Sequence, residues 1–472
     1  MAGTASAGGF ERLGRRAPVW SVNPSPEVNG EHGWGIFTLP FPLEAATPSQ
    51  PGFRGSSLRQ AGLLLMLIVQ KYGGTSVGSF DRIRNVAGRI KALRDEGHQV
   101  AVVVSAMGGV TDQLVEMARE VCDDPPEREM DVLLSTGEQQ SIALVTMALR
   151  QVGVEAVSIT GRQAGMKTSG AHTRARIRAI DPTLSRRYLD EGKVVIVAGF
   201  QGVNEEGLIQ TLGRGGSDLS AIAFASSIEA DLCQILTDVD GVYTADPRVV
   251  SDARKLPEIS YDELLELASV GTKVMQSRSV EFAKKYGVRF EVRSSLNSNP
   301  GTIVTEEHEA MEAVVIRGVS IERSQARVTI TGIPDEPGMS GRILSVLGEA
   351  EINIDMIISN TAHDGYARHS FTMHTNDLGR VQAALKPVLA DLGGDANIES
   401  EAGIAKLSVV GIGMRSHSGV AAQMFKALGE GGINIGMIST SEIKISVTVE
   451  EARIEDAARV VHSAFGLDTA PA

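Results

Sequence analysis

Beyond residue 320 the chain repeats itself, and the repeat keeps its register. Leu347-Gly348-Glu349 returns as Leu428-Gly429-Glu430, and Ile352-Asn353-Ile354-Asp355-Met356-Ile357 as Ile433-Asn434-Ile435-Gly436-Met437-Ile438. Gly338 returns as Gly419, and the displacement is the same for every pair. A displacement that stays constant across loops means one structural unit present twice. Each copy reads as a strand (326–333, 406–412), a loop, an amphipathic helix (341–349, 421–430) and a further strand opening at Ile-Asn-Ile. Later strands complete a small α+β unit. The loops carry Pro337-Gly338 in one copy and Ser418-Gly419 in the other. Backbone donors at a helix start, facing the Ile-Asn-Ile segment, suit the carboxylate of a small zwitterion.

Before the repeat, from Met66 to Thr305, strand and helix patterns alternate. Leu67-Ile68-Val69-Gln70-Lys71-Tyr72 is an apolar, β-branched run that meets Gly73-Gly74-Thr75-Ser76, and Ile83, Val86, Ile90 and Leu93 then recur at helical spacing. Strand, glycine turn and helix in that order aim backbone N–H groups and a helix dipole at one spot, which suits phosphate. Lys71 adds a point charge at the strand's carboxyl end. The lysine precedes the glycines, so this is not the P-loop arrangement. Residues 99–107, 154–159, 193–199 and 232–239 read as further strands. Residues 110–121 read as a helix, and 130–149 as a longer one interrupted at Ser135-Thr136-Gly137-Glu138. Near-continuous apolar strands between helices predict a sheet covered on both faces.

Residues 1–65 lack any sustained period, hold both tryptophans (Trp20, Trp34) and scattered prolines, and read as disordered. Arg12, Arg15 and Arg16 hint at a transit peptide, but Glu11, Glu27, Glu31 and Glu44 argue against one. The simpler expectation is that translation starts at Met66. A formal charge of −13 disfavours nucleic acid or an anionic membrane as partner. The longest apolar run, 63–69, is too short to span a bilayer. Cys122 and Cys233 lack metal spacing and fit a reducing compartment, hence a cytoplasmic protein.

Four constellations in the α/β half carry chemistry. Ser105-Ala106-Met107-Gly108-Gly109-Val110-Thr111 is a second strand-to-helix glycine turn, although a plain capped turn has the same look. Glu138 alone in a helix is ordinarily solvated. Gly213-Arg214-Gly215-Gly216-Ser217-Asp218 brings a guanidinium fork, Ser217 and Asp218 to a helix start, where the arginine can hold a carboxylate or phosphate. Thr237-Asp238-Val239-Asp240-Gly241-Val242-Tyr243-Thr244-Ala245-Asp246-Pro247-Arg248 gathers acidic, aromatic and basic groups after a strand, without the distal glutamate of an EF-hand.

Taken together and in this order, these segments and the doubled tail closely resemble aspartate kinase, over residues 66 to about 465. The resemblance implies a layered αβα amino-acid-kinase domain (66–305), a linker (306–320) and two ferredoxin-like α+β ACT domains (321–400 and 401–472). It implies ATP-dependent phosphorylation of L-aspartate on its β-carboxylate, with Mg²⁺, at the entry to lysine, threonine and methionine synthesis. Lys71 and Asp218 would be catalytic. Ser105, Thr111, Glu138, Arg214 and Ser217 would bind aspartate. Lys71, Tyr72, Gly73, Gly74, Thr237, Asp238, Tyr243, Thr244, Ala245, Asp246, Pro247, Arg248 and Lys273 would bind ATP.

In the tail, Asp335, Gly338, Ser340, Asn353, Ile354, Asp355, Ser359, Val420, Asn434 and Ile435 would meet an amino-acid effector, threonine, lysine or both. The implied assembly is a homodimer, or an α2β2 type whose tail-only subunit starts at Met311. One departure is Ala171-His172-Thr173-Arg174-Ala175-Arg176, where relatives often carry His-Gly-Asn. Acetylglutamate kinase and uridylate kinase share the fold but lack the doubled tail. A non-catalytic amino-acid sensor is the other alternative, against which Lys71 and Arg214 both stand.

Overall fold

The structure is a computed structural model and describes residues 65–269, 275–308, 315–361, 365–392 and 396–469. Residues 1–64 of the expected extension, the expected ATP contact Lys273 and the alternative start Met311 lie outside the described residues.

In chain order the α/β part comprises β1 (Leu67–Tyr72), α1 (Phe80–Asp95), β2 (Gln99–Val104), α2 (Val110–Val121), α3 (Glu127–Gln151), β3 (Ala156–Ile159), β4 (Met166–Ser169) and β5 (Arg176–Ile180). It continues through α4 (Thr183–Asp190), β6 (Val194–Ala198), β7 (Gln201–Val203), β8 (Ile209–Thr211), α5 (Gly216–Ser227) and β9 (Leu232–Thr237). It closes with β10 (Glu258–Ser260), α6 (Tyr261–Ser269), α7 (Ser277–Tyr286), β11 (Phe290–Ser294) and β12 (Thr302–Thr305). The main sheet runs β10-β12-β11-β9-β1-β2-β6-β3, parallel except between β11 and β12. A smaller sheet, β5-β4-β7-β8, flanks the cleft.

The period of two in β2 sorts its side chains between two cores. Val100, Val102 and Val104 pack with Ile83, Val86 and Ile90 of α1 and Ile142, Val145 and Leu149 of α3. Ala101 and Val103 face the other layer, with Ile222 and Phe224 of α5 and Leu264 of α6. Each such fully buried aliphatic side chain contributes about 1.5–3 kcal/mol. The sheet is therefore covered on both faces, as its uninterrupted apolar strands predict.

One expectation is corrected here. Helix α3 runs unbroken through Ser135-Thr136-Gly137-Glu138. The hydroxyls of Ser135 and Thr136 donate to the carbonyls of Val132 and Leu133 at 2.8 and 2.7 Å, so their polarity is absorbed within the helix. Gly137 is there for close approach: a Cβ on it would stand 2.8 Å from the Cβ of Ala106.

The tail comprises β13 (Gly318–Pro334), α8 (Met339–Glu349), β14 (Ile357–Thr361), β15 (Tyr366–His374), α9 (Leu378–Leu392), β16 (Asn397–Val410), α10 (Val420–Glu430), β17 (Ile438–Thr440), β18 (Lys444–Glu450) and α11 (Ile454–Ala464). Its strands form one antiparallel sheet, β14-β15-β13-β16-β18-β17, with the long β13 and β16 at the centre. The repeat is obeyed in backbone detail. Gly338 and Gly419 cap α8 and α10 at φ 96° and 92°, and Glu351 and Gly432 both take positive φ. The units are interleaved: Ile316 and Val319 sit in the core of the second unit with Leu407, Met424 and Val461, ahead of the first unit in sequence. The second strand of each copy opens later than the pattern predicts. Ile352 and Met356 are buried anchors of a loop, and β14 begins at Ile357.

Candidate active site

The carboxyl ends of β1, β2 and β9 open onto one cleft of about 500 Å³. This is where parallel sheets of this kind bind ligands, beside the strand at which the connection order reverses. Lys71, the penultimate residue of β1, is 8% exposed, and its Nζ lies 2.6 Å from Asp218 Oδ1 in the first turn of α5. The pair is close in charge–charge terms but off the line of a good hydrogen bond. One proton-bearing cation is thus held at the mouth of two glycine turns. Those turns interlock: Gly108 N donates to Gly74 O at 3.1 Å, and a Cβ on Gly74 would stand 2.8 Å from Ala106 O. Only glycine permits that approach, which leaves Gly73, Gly74, Gly108 and Gly109 lining the cleft with little but backbone.

Glu138 reaches the cleft from α3. It is 4% exposed, its Oε1 accepts from Ala106 N at 3.0 Å, and its Oε2 has no hydrogen-bond partner. Burial pushes its carboxyl pKa up to about 7, only partly offset by the Ala106 amide. A solvated glutamate is excluded. A buried carboxylate with one oxygen unsatisfied, facing a cleft, is a receptor for a cation.

The turn between β8 and α5 lines the same cleft. Gly213 and Gly215 take φ 75° and 69°, so the chain folds back and exposes Arg214 between them. Ser217, Ser105 and Thr111 contribute hydroxyls to the same lining, and Thr237 and Asp238 close the β9 side. The cleft therefore holds an anion receptor (Arg214), a cation receptor (Glu138), hydroxyls, and a lysine beside glycine amides. It can take an amino-acid zwitterion and a polyphosphate side by side.

Of the residues predicted from sequence, the structure brings together Lys71, Gly73, Gly74, Ser105, Thr111, Glu138, Arg214, Ser217, Asp218, Thr237 and Asp238. It does not bring Tyr72. That ring is fully buried against α1 and α3, with its hydroxyl donating to Gln70 Oε1 at 3.0 Å. Period two in β1 settles this, since Lys71 and Tyr72 must face opposite sides. Thr244 and Ala245 are also withdrawn, at 1% and 3% exposure: Thr244 meets His462 and Ala245 joins the core of the second tail unit. Tyr243, Asp246, Pro247 and Arg248 lie along the continuing loop outside this lining. There Tyr243 donates to Asp240 at 2.7 Å and Arg248 pairs with Asp246 at 2.7 Å.

Sequence reasoning missed Phe200 and Asp112, which also line the cleft. Phe200 takes φ 66°, unusual for an aromatic residue, and the only signal for it is its place just after the apolar strand β6. In the tail, Gly338 and Ser340 open α8, Asn353 is exposed, and Asp355 is held by Lys406. Ser359 meets His369 at 3.3 Å. A second cleft, of about 530 Å³, lies at the corresponding place in the other copy, lined by Arg415, His417, Val420 and Glu442 among others. Asn434 and Ile435 are outside that lining.

Residues 66–294 match the amino acid kinase family, and residues 317–392 and 407–465 each match the ACT domain. An aspartate kinase of Stutzerimonas stutzeri is 51% identical over 409 residues, which is 86% of this chain and 99% of that protein. The chain belongs to the aspartate kinase family. An aspartokinase of Pseudomonas aeruginosa is 52% identical over 410 residues, with the same coverage. Among solved structures, E. coli aspartokinase III in complex with aspartate and ADP (R-state) aligns over 84% of this chain and 99% of that one, at 26% identity and a TM-score of 0.69. The same enzyme in complex with lysine and aspartate (T-state) aligns at 27% identity and a TM-score of 0.68. The aspartate kinase family uses ATP, which agrees with a cleft built from glycine turns and a lysine.

Proposed function

We propose that this chain transfers the γ-phosphoryl group of ATP to the β-carboxylate of L-aspartate. The products are 4-phospho-L-aspartate and ADP, and the step opens lysine, threonine and methionine synthesis under feedback control through the tail. The observation that carries this reading is that Arg214 and Glu138 both line one cleft that also holds Lys71 and the glycine turns. Arg214 clamps the α-carboxylate in its planar fork, and Glu138 receives the α-ammonium. The β-carboxylate is then left facing Lys71.

The acceptor carboxylate is ionised at neutral pH, so no general base is needed. A carboxylate oxygen attacks the γ-phosphorus, the bond to the β–γ bridging oxygen breaks, and that oxygen leaves on ADP. Lys71 and the amides at Gly74 and Gly109 stabilise charge on the transferring group without reorganising, while the Gly73 and Gly108 amides are spent on Leu236 O and Gly74 O and shape the turns. Asp218 keeps the Lys71 ammonium in place. Among the described residues no three side chains of metal-binding type converge. A Mg²⁺ ion would be carried mainly by nucleotide oxygens, with Asp238 in the lining, which accepts from Thr237 Oγ1 at 3.0 Å, as a carboxylate that would help hold it; the ion would supply further charge neutralisation. Thr237 and Asp238, at the end of β9, are placed to receive the nucleotide.

We also propose a cytoplasmic dimer or larger assembly. Two features support it: the edge strands β14 and β17 are open, and Ile357 and Ile438, equivalent in the repeat, are 49% and 43% exposed. The test of the reaction is hydroxylamine trapping of the acyl phosphate with aspartate, glutamate and N-acetylglutamate in turn. Hydroxamate formed from aspartate supports the reading, and preference for N-acetylglutamate sinks it.

A further inference from the structure

Arg214 has no hydrogen-bond or ion-pair partner among the described residues. Nothing holds its side chain in advance, so its aim is set by the backbone beneath it. That backbone is a glycine-flanked turn, which would be loose if left to itself. It is instead moulded against a neighbouring loop, 172–175. Gly213 packs so closely on it that a Cβ would come within 3.1 Å of Thr173 O, and Ala175 N donates to Thr211 O at 2.9 Å.

The tie between the two loops is a carboxylate the mechanism does not use. Asp131 on α3 is fully buried and lies two helical turns before Glu138, on the same face. Its Oδ1 accepts from Thr211 Oγ1 at 2.5 Å and from Thr173 N at 3.0 Å, and its Oδ2 meets His172 Nδ1 at 2.5 Å. Thr211 ends β8, three residues before Arg214. Thr173 sits at φ 63°, a strained conformation for a β-branched residue, and the bond to its amide holds it there. From the far side Arg278 donates to Leu212 O at 2.9 Å and Ala175 O at 2.7 Å, clasping the same two loops.

We infer that Asp131 and His172 are positioning residues for the substrate-carboxylate clamp: through Thr211 and Thr173 they fix the turn that aims Arg214 at the amino-acid substrate. The inference rests on the proposed role of Arg214. It places the acidic anchor of the anion receptor and the cation receptor Glu138 on one helix, so a single rigid element sets the distance between the two ends of the zwitterion site.

The test is steady-state kinetics on the full chain. His172 is 22% exposed at its side chain, so His172→Ala should fold. It should raise KM for aspartate by on the order of 10–100-fold with KM for ATP changed less than about 2-fold, the scale of misplacing a substrate clamp. His172→Asn keeps a donor near the place of Nδ1 and should recover most of that loss. Arg214→Ala should raise the aspartate KM at least as much, and His172→Ala added to it should cost nothing further, because the clamp is already gone. If His172→Ala leaves the aspartate KM unchanged, raises both KM values equally, or adds its full effect to that of Arg214→Ala, the positioning role is overturned. If Arg214→Ala itself spares aspartate, the clamp reading fails, and the inference with it.

Discussion

Thr244 Oγ1 and His462 Nε2 lie 2.9 Å apart, joining the loop after β9 to the last helix of the tail. The threonine hydroxyl already accepts from Arg254 N at 2.9 Å, so its one proton is free to go to the imidazole, which then accepts as the neutral ring. Around it Val319 N donates to Thr244 O at 2.7 Å and Arg254 Nε to Leu467 O at 2.8 Å. Segments on both sides of this seam are therefore fastened by directed bonds. The seam ties the tail to the loop that follows β9, and Thr237 and Asp238 at the end of that strand line the cleft.

Acid should loosen this seam. Burial holds the His462 pKa below its usual value, with Asp468 pulling it back up and Arg254 pushing it further down. A histidine whose folded pKa is depressed lends stability that is present above about pH 6.5 and is lost as pH falls through the folded value. Thermal melts between pH 8 and 5 should therefore show a drop in Tm below about pH 6.5. That drop should be smaller in His462→Gln, whose amide can still meet Thr244 without titrating. Equal pH profiles for the two proteins would remove His462 from this role.

Lys71→Ala should lower kcat by at least about 100-fold, the scale of losing one preorganised charge at the reacting centre. It also leaves Asp218 with its partner gone in a site where both side chains are at most 14% exposed. Some loss of stability is expected for that reason, and Lys71→Ala combined with Asp218→Asn should restore stability without restoring turnover. Turnover above a tenth of the parent's would refute the assignment of Lys71.

Glu138→Gln should make the unliganded protein more stable and the enzyme worse. The carboxyl titrates near pH 7 in the folded state against about 4.5 when unfolded. A raised folded pKa gives stability that is full below pH 4.5 and is lost as pH climbs through 7, by about 1–3 kcal/mol at pH 8 once the amide's own unsatisfied N–H is allowed for. The same titration should appear in catalysis. Binding an ammonium needs the ionised carboxylate, so kcat/KM for aspartate should fall about tenfold per pH unit below pH 7. Glu138→Gln should lose that pH dependence and raise the aspartate KM. Denaturant melts at pH 8 and a pH–rate profile check the two halves separately.

The layers and the glycine turns were legible because each is a local pattern: apolar strands, and Gly-Gly after a strand; Lys71 and Asp218 entered together only through the family resemblance, because their pairing joins β1 to α5 across the fold. The repeat was legible because register survives in sequence. What escaped was set by tertiary packing. Gly137 looks like a helix breaker and is instead the contact that lets α3 touch the 106–114 segment. Thr244 and Ala245 look like part of a nucleotide-binding loop and are instead buried against the last helix of the tail, far along the chain. Asp131 carries no motif, and its importance lies wholly in which three donors the fold brings to it.

The two copies of the repeat should differ in effector binding, and one position shows why. Asp355 in the first copy corresponds to Gly436 in the second. In the structure the Asp355 carboxylate pairs with Lys406, whose side chain is only 4% exposed and which also meets Glu322 at 2.8 Å. Burial alone would lower the Lys406 pKa, but Glu322 and Asp355 outweigh it and hold the ammonium charged at neutral pH. This cation ties the loop before β14 to β16, so the first copy has a charged latch that the second lacks. An amino-acid effector that engages Asp355 through its ammonium must compete with Lys406 or join the cluster, and either choice shifts the loop. Asp355→Gly, which makes the first copy like the second, should leave uninhibited turnover intact and weaken inhibition. The coupling at stake is on the order of 1–3 kcal/mol, a 5- to 150-fold change in inhibitor potency. Calorimetry with lysine and with threonine on both proteins gives the answer. Undiminished binding to Asp355→Gly would place the effector elsewhere, and no binding to the parent chain, with or without aspartate, would leave the repeat as an assembly module.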